Sequence, residues 1–277
     1  MTRIDAHQHF WRVARGDYGW LTPSLAPIYR DFGIDDLTPH LRAADIAGTV
    51  LVQAAPTEAE TDFLLELAAG SGGLVKAVVG WVDFEAPDAA HRLGRLARNP
   101  LLRGVRPMMQ DIADTDWMLR PALAPAFRAV VELGLRFDAL VQPRHLANLR
   151  RLVDRYPGLQ LVVDHGAKPR IAAGTREPWA SEMRGLARET AAWCKLSGLV
   201  TEASERWTVA DLRPYAEHLL DCFGPERLLW GSDWPVVELA GGYRRWWAAT
   251  EELLRPLDTA GRASILGGSA ARFYAIA

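Results

Sequence analysis

The chain has 277 residues, 49% hydrophobic and 24% charged, which is enough apolar material for a large core and excludes a disordered chain. Lys and Arg total 32 against 34 for Asp and Glu, a net charge of −2 that leaves no electrostatic footprint for nucleic acid or an anionic membrane. No apolar run approaches the roughly 18 residues that span a bilayer, no signal-peptide apolar region follows the first residues, and Cys194 and Cys222 form neither a CxxC pair nor a disulfide framework. A cytoplasmic protein is the expectation.

In chain order, short runs rich in Val, Ile and Leu predict strands at 4–9, 49–53, 75–83, 102–108, 135–142, 159–165, 193–197 and 228–233. Each run is nearly continuous in apolar residues, as strands covered on both faces must be. Amphipathic stretches separate them. Thr57 with Glu60 has capping-box spacing, and Gly70 closes that helix. A helix over 122–133 ends at Gly134, and one over 145–156 follows Pro143 and stops at Pro157-Gly158. Thr208 caps a helix running to Phe223, and Asp258 starts one reaching Gly267-Gly268. No linker, charge block or solenoid repeat interrupts the pattern, so one domain over 1–277 is expected. Strand–helix units in this number predict an α/β fold, a (β/α)8 TIM barrel. An open doubly wound sheet is the alternative, but the Gly-rich turn it carries after its first strand is missing. Gly70-Ser71-Gly72-Gly73 follows a helix and precedes a strand, the wrong order for a phosphate cradle, and no G-x-S-x-G elbow occurs.

Barrel active sites gather at the carboxyl ends of the strands. The first run ends in His7-Gln8-His9, whose alternation puts both histidines on one face, able to chelate a divalent metal. The sixth ends in Asp164-His165 and the eighth in Ser232-Asp233-Trp234-Pro235. Gln53, Arg106, Gln142 and Ser197 stand near the ends of four others. Taken singly, H-x-H reads equally as two histidines bonded to backbone, and S-D-W-P as an Asp capping a turn. Together they point to a shared polar ligand, because each buried polar group left unpaired costs about 1–3 kcal/mol.

The segments Ile4-Asp5-Ala6-His7-Gln8-His9-Phe10-Trp11, Val163-Asp164-His165-Gly166-Ala167-Lys168-Pro169 and Leu229-Trp230-Gly231-Ser232-Asp233-Trp234-Pro235 resemble the amidohydrolase superfamily, and within it the branch of sugar-lactone hydrolases such as L-fuconolactonases and L-rhamnonolactonases. Gln142-Pro143-Arg144-His145-Leu146 and the Gly267–Tyr274 segment extend the resemblance to the end of the chain. The resemblance implies a distorted barrel, with His7, His9 and His165 matching the paired and strand-6 histidines and Asp233 the strand-8 aspartate. Two departures follow. The run 102–108 holds no Lys or Glu to bridge a second metal, and Gln142 stands where many metal-binding members have His. The implied cofactor is therefore at most one divalent metal, zinc by ligand type, on His7, His9 and Asp233, and the branch includes members that work without metal.

The expected function is opening of a small sugar lactone to its aldonic acid. Asp233 is the expected general base, and His165, His7 and His9 polarise the carbonyl or hold the metal that does so. Trp11, Gln53, Arg106, Gln142, His145, Lys168 and Trp234 are the expected substrate contacts, amphipathic rings and amides suited to a polyhydroxylated ring. A decarboxylase or lactonase for aromatic or unsaturated acids, and a non-catalytic sugar-binding barrel, are the competing readings. The expected partner is the small-molecule lactone, with a homo-oligomer allowed.

Overall fold

In the computed structural model, which describes residues 2–276, eight parallel strands form one sheet in sequence order. They are β1 (Ile4–Gln8), β2 (Gly48–Val52), β3 (Val75–Gly80), β4 (Leu102–Val105), β5 (Arg136–Ala139), β6 (Leu161–Val163), β7 (Trp193–Leu196) and β8 (Leu228–Trp230). One helix follows each strand: α1 (Ile34–Ala43), α2 (Glu58–Ala69), α3 (Ala89–Leu96), α4 (Ala124–Glu132), α5 (Leu146–Arg155), α6 (Trp179–Glu189), α7 (Val209–Phe223) and α8 (Tyr243–Leu253). Two short ones, α9 (Thr259–Ala263) and α10 (Ser269–Phe273), close the chain. This is a (β/α)8 barrel. Among the described residues no helix is long and apolar enough to cross a membrane.

The strands are shorter than their apolar runs, mostly at the carboxyl ends. Beyond Val163, for instance, His165, Ala167 and Lys168 take positive φ, so the chain leaves the sheet and turns back over the barrel mouth. The helix signals hold with two changes. Thr57 Oγ1 accepts from the Glu60 amide at 3.1 Å, but the Glu60 carboxylate does not complete the box. It turns inward and accepts from the Ala54 and Ala55 amides at 2.8–3.0 Å. Asp258 caps its helix through the Gly261 amide, but the helix breaks at Gly267 before α10 instead of ending there.

Inside the barrel, Ile4, Ala6, Val50, Val52, Ala77, Val79, Val162 and Leu229 pack against Ala270, Phe273 and Tyr274 of the C-terminal segment. That segment plugs the amino end and leaves the carboxyl end for chemistry. The closure between β8 and β1 uses two backbone bonds from the segment just past β8, Asp233 N–H to His7 O at 2.8 Å and His9 N–H to Trp234 O at 2.7 Å. Gly231 makes the approach possible, since a Cβ there would lie 2.6 Å from the Cβ of His7. The seam of the barrel thus carries His7, His9 and Asp233 together.

Candidate active site

Three imidazoles surround the Asp233 carboxylate. Its Oδ1 lies 3.3 Å from His9 Nε2, 3.7 Å from His7 Nε2 and 3.8 Å from His165 Nε2. Asp233 and His165 both sit at positive φ, at 58° and 53°, a conformation that non-glycine residues rarely hold without support. For His165 that support is Ser197, whose Oγ is 2.9 Å from Nδ1. Burial would raise the Asp233 carboxyl, but His165, His9 and His7 outweigh it and hold it far below the usual range. Burial lowers His165 to about 4, so it is neutral at physiological pH. Burial and the Lys195 ammonium also hold His7 well below its ordinary value.

Beneath this cluster lies a buried layer of charge. Lys195 Nζ, in the middle of β7, is 2.6 Å from Asp138 Oδ2, 3.0 Å from Asp164 Oδ1 and 3.1 Å from His7 Nδ1. The Tyr274 hydroxyl donates to the same Asp138 oxygen at 2.7 Å. Arg106 Nη1 lies 3.3 Å from Asp164 Oδ2 and 3.2 Å from His7 Nε2. Lysine and arginine only donate, and a neutral imidazole accepts at one nitrogen, so Lys195 and Arg106 compete for the single lone pair of His7. Burial raises both aspartic acids; for Asp164 it is overcome by Lys195, His7 and Arg106, while Asp138 stays raised. Lys195 and Asp138 were not singled out by the sequence reading. Their signal was available, since a Lys and an Asp inside apolar strands are almost never buried unless paired.

The other expected contacts divide. Lys168 and Arg106 line, with His9, His165, Asp233 and Trp20, a cavity of about 240 Å³ at the barrel mouth. Gln142 and Lys168 line an adjoining outer groove of about 520 Å³ with Arg144, Arg170 and Glu202. Three expectations are corrected. Gln53 is fully buried, and its side-chain oxygen accepts from Arg106 Nε at 3.0 Å and Nη2 at 2.8 Å, so it orients the arginine instead of facing the cavity. Trp11 is fully buried with Nε1 donating to Arg30 O at 2.8 Å, between Tyr18, Trp20 and Phe32. Trp234 is 1% exposed and packs edge-on against Phe10 and Phe32. Trp11 lies past the end of β1, where backbone bonds to Phe32 at 3.0–3.1 Å hold it, and Trp234 turns away because Asp233 beside it takes the inward face. His145 is buried, and its Nδ1 accepts from the Gln142 amide at 3.0 Å.

The donor set fits a divalent cation. The ligand atoms of His7, His9 and Asp233 lie within 4.8 Å of one another, as do those of His7, Asp164 and His165. His9 Nδ1–H donates to Val52 O at 2.8 Å, which leaves the lone pair of Nε2 facing a carboxylate oxygen 3.3 Å away. Two lone pairs at that distance call for a proton or a cation between them.

The fold, the seam and this donor set define a (β/α)8 barrel with a candidate metal-holding centre at the carboxyl ends of its strands. The amidohydrolase family model matches residues 4–276, and the chain belongs to that family. It is 48% identical over 278 residues to an L-fucono-1,5-lactonase of Burkholderia ambifaria, covering 99% of this chain and 96% of that one. An L-fucono-1,5-lactonase of Burkholderia multivorans is 39% identical, with 99% and 96% covered. The crystal structure of an amidohydrolase from Burkholderia multivorans with bound zinc superposes with a TM-score of 0.93 at 37% identity, covering all of both chains.

Proposed function

We propose that this chain hydrolyses a small sugar lactone of the L-fuconolactone, L-rhamnonolactone or L-galactonolactone type to its aldonic acid. The observation that carries the reading is the Asp233 carboxylate, ringed by three imidazoles at the foot of a cavity about the size of one sugar ring. The 48% identity to an L-fucono-1,5-lactonase supports the substrate class.

Asp233, ionised at neutral pH, takes a proton from a water as its oxygen attacks the lactone carbonyl carbon. His165, with the Ser197 hydroxyl donating to Nδ1, presents Nε2–H to the carbonyl oxygen and stabilises the developing oxyanion. Collapse of the tetrahedral intermediate breaks the bond between the acyl carbon and the ring oxygen. The proton held by Asp233 passes to that oxygen, and the new carboxylic acid ionises into solution. Arg106, pinned by Gln53 and Asp164, sets the position of His7. His7, His9 and Asp233 would hold a single divalent metal, zinc by donor chemistry, which supplies carbonyl polarisation and an acidified water when bound.

A carboxylate-bearing substrate fits less well. Arg106 spends its donors on Gln53, His7 and Asp164, which leaves Lys168 as the cation in the inner cavity with donors to spare. The direct test is a pH-indicator assay on L-fucono-, L-rhamnono- and L-galactonolactones, with and without a strong chelator. Acid release on one or more is the expected result. Release on none, with metal restored, overturns the reading, and the chelator arm decides the metal requirement.

A further inference from the structure

We propose that Lys168 and Glu202 form a hydroxyl clamp at the throat of the site, gripping a vicinal diol of the substrate and selecting polyhydroxylated lactones over plain ones. The proposal rests on the lactonase reading and names how its substrate is chosen. Lys168 lines both the inner cavity beside Asp233 and the outer groove, and Glu202 lines the groove. Lys168 Nζ and Glu202 Oε1 are 3.6 Å apart, with side chains 25% and 27% exposed. That separation is too long for a direct hydrogen bond. Among the described residues neither side chain has another ion-pair partner. Two charges this far withdrawn from water thus retain hydrogen-bonding capacity that the protein does not use.

A hydroxyl group supplies what the gap lacks. The ammonium only donates and the carboxylate only accepts, whereas a sugar hydroxyl accepts from Nζ and donates to Oε1 through the same oxygen. Two adjacent hydroxyls, one on each charged group, satisfy more of the remaining capacity, and hydrogen bonds to charged groups are the strong ones. An unsubstituted lactone ring offers neither. Burial raises the Glu202 carboxyl and the Lys168 ammonium opposes this, so the lysine helps keep the acceptor ionised.

The clamp is also preset. The Lys168 amide donates to His165 O at 2.9 Å, and Lys168 is held at φ 52°. Glu202 ends the 3-10 turn Val200–Glu202 that follows β7, a few residues beyond the Ser197 that bonds His165. The same two loops therefore position the oxyanion donor and the diol contact. Binding the hydroxyls fixes the carbonyl relative to His165 and Asp233.

The experiment compares kcat/KM on L-fuconolactone and on δ-valerolactone for the unmodified protein, Glu202→Gln, Lys168→Met, the double variant and Glu202→Asp. Where δ-valerolactone turns over too slowly, its inhibition constant against the sugar lactone replaces kcat/KM. Each single variant should lose about ten- to hundredfold on the sugar lactone, chiefly through KM, and at least tenfold more than on the plain lactone. The double variant should fall little below the singles, and Glu202→Asp should recover part of the loss. Equal losses on both lactones, or no loss on the sugar lactone, would overturn the clamp. If the unmodified protein opens no sugar lactone, it is the lactonase reading that fails.

Discussion

Gly198 lies against the imidazole of His165 so closely that a Cβ there would sit 2.4 Å from Nδ1, and its φ is +60°. The loop after β7 can fold over His165 and place Ser197 on Nδ1 because this position lacks a side chain. Gly198→Ala should therefore displace His165, lowering kcat at least about tenfold by loss of a positioned oxyanion donor. Steady-state kinetics beside a thermal melt checks this. A variant with unchanged kcat would show that the position of His165 does not matter to turnover.

Removing the proposed base while keeping its shape is the sharper test of chemistry. Asp233→Asn retains the backbone bond to His7 O that closes the barrel seam. Turnover should fall by about 10²–10⁴, the range general-base catalysis supplies, with the circular dichroism spectrum unchanged. Near-normal turnover would remove Asp233 from that role.

The charged layer under the site should dominate stability. Lys195 is fully buried between Asp138 and Asp164, so Lys195→Met leaves Asp138 without its cation and Asp164 with Arg106 alone. The expected cost is about 3–5 kcal/mol by urea unfolding. Adding Asp138→Asn should recover part of it. A loss under about 1 kcal/mol would mean that the two carboxylates do not depend on Lys195.

Glu60 gives a pH dependence with a definite sign. Burial raises its carboxyl from 4.5 to about 7 although the Ala54 and Ala55 amides oppose this. Between those values the folded chain binds more protons than the unfolded one. Its contribution is full below pH 4.5 and is lost as pH rises through 7, up to about 3 kcal/mol in all. Glu60→Gln should gain stability relative to the unmodified chain between pH 5 and 8. Asp5, raised by burial to about 6, changes in the same direction, and His165, lowered to about 4, in the opposite one, but both are common to the two proteins. A difference between the two proteins that does not change with pH would contradict the raised carboxyl.

What the sequence by itself determined is the set of strands, their order and the polar residues that close them. Continuous apolar runs require cover on both faces, and a parallel sheet with helices outside is the structure that provides it. Histidines 7 and 9 and Asp233 stood out because polar groups at the ends of apolar runs need partners. Local pattern also placed the caps at Thr57 and Asp258, since those bonds span three residues.

Only the tertiary structure decided which partners those groups find. Gln53 and Arg106 are 53 positions apart in sequence, Lys195 and His7 188 apart, and nothing in either neighbourhood encodes the contact. Trp11 and Trp234 read as rim residues because they stand near site residues, yet both rings pack edge-on against Phe32 and lie in the core. Glu202 carries no motif and becomes part of the site because the loop after β7 brings it to Lys168. Periodicity records whether a residue is buried, whereas the identity of its neighbour depends on how the ends of the sheet meet.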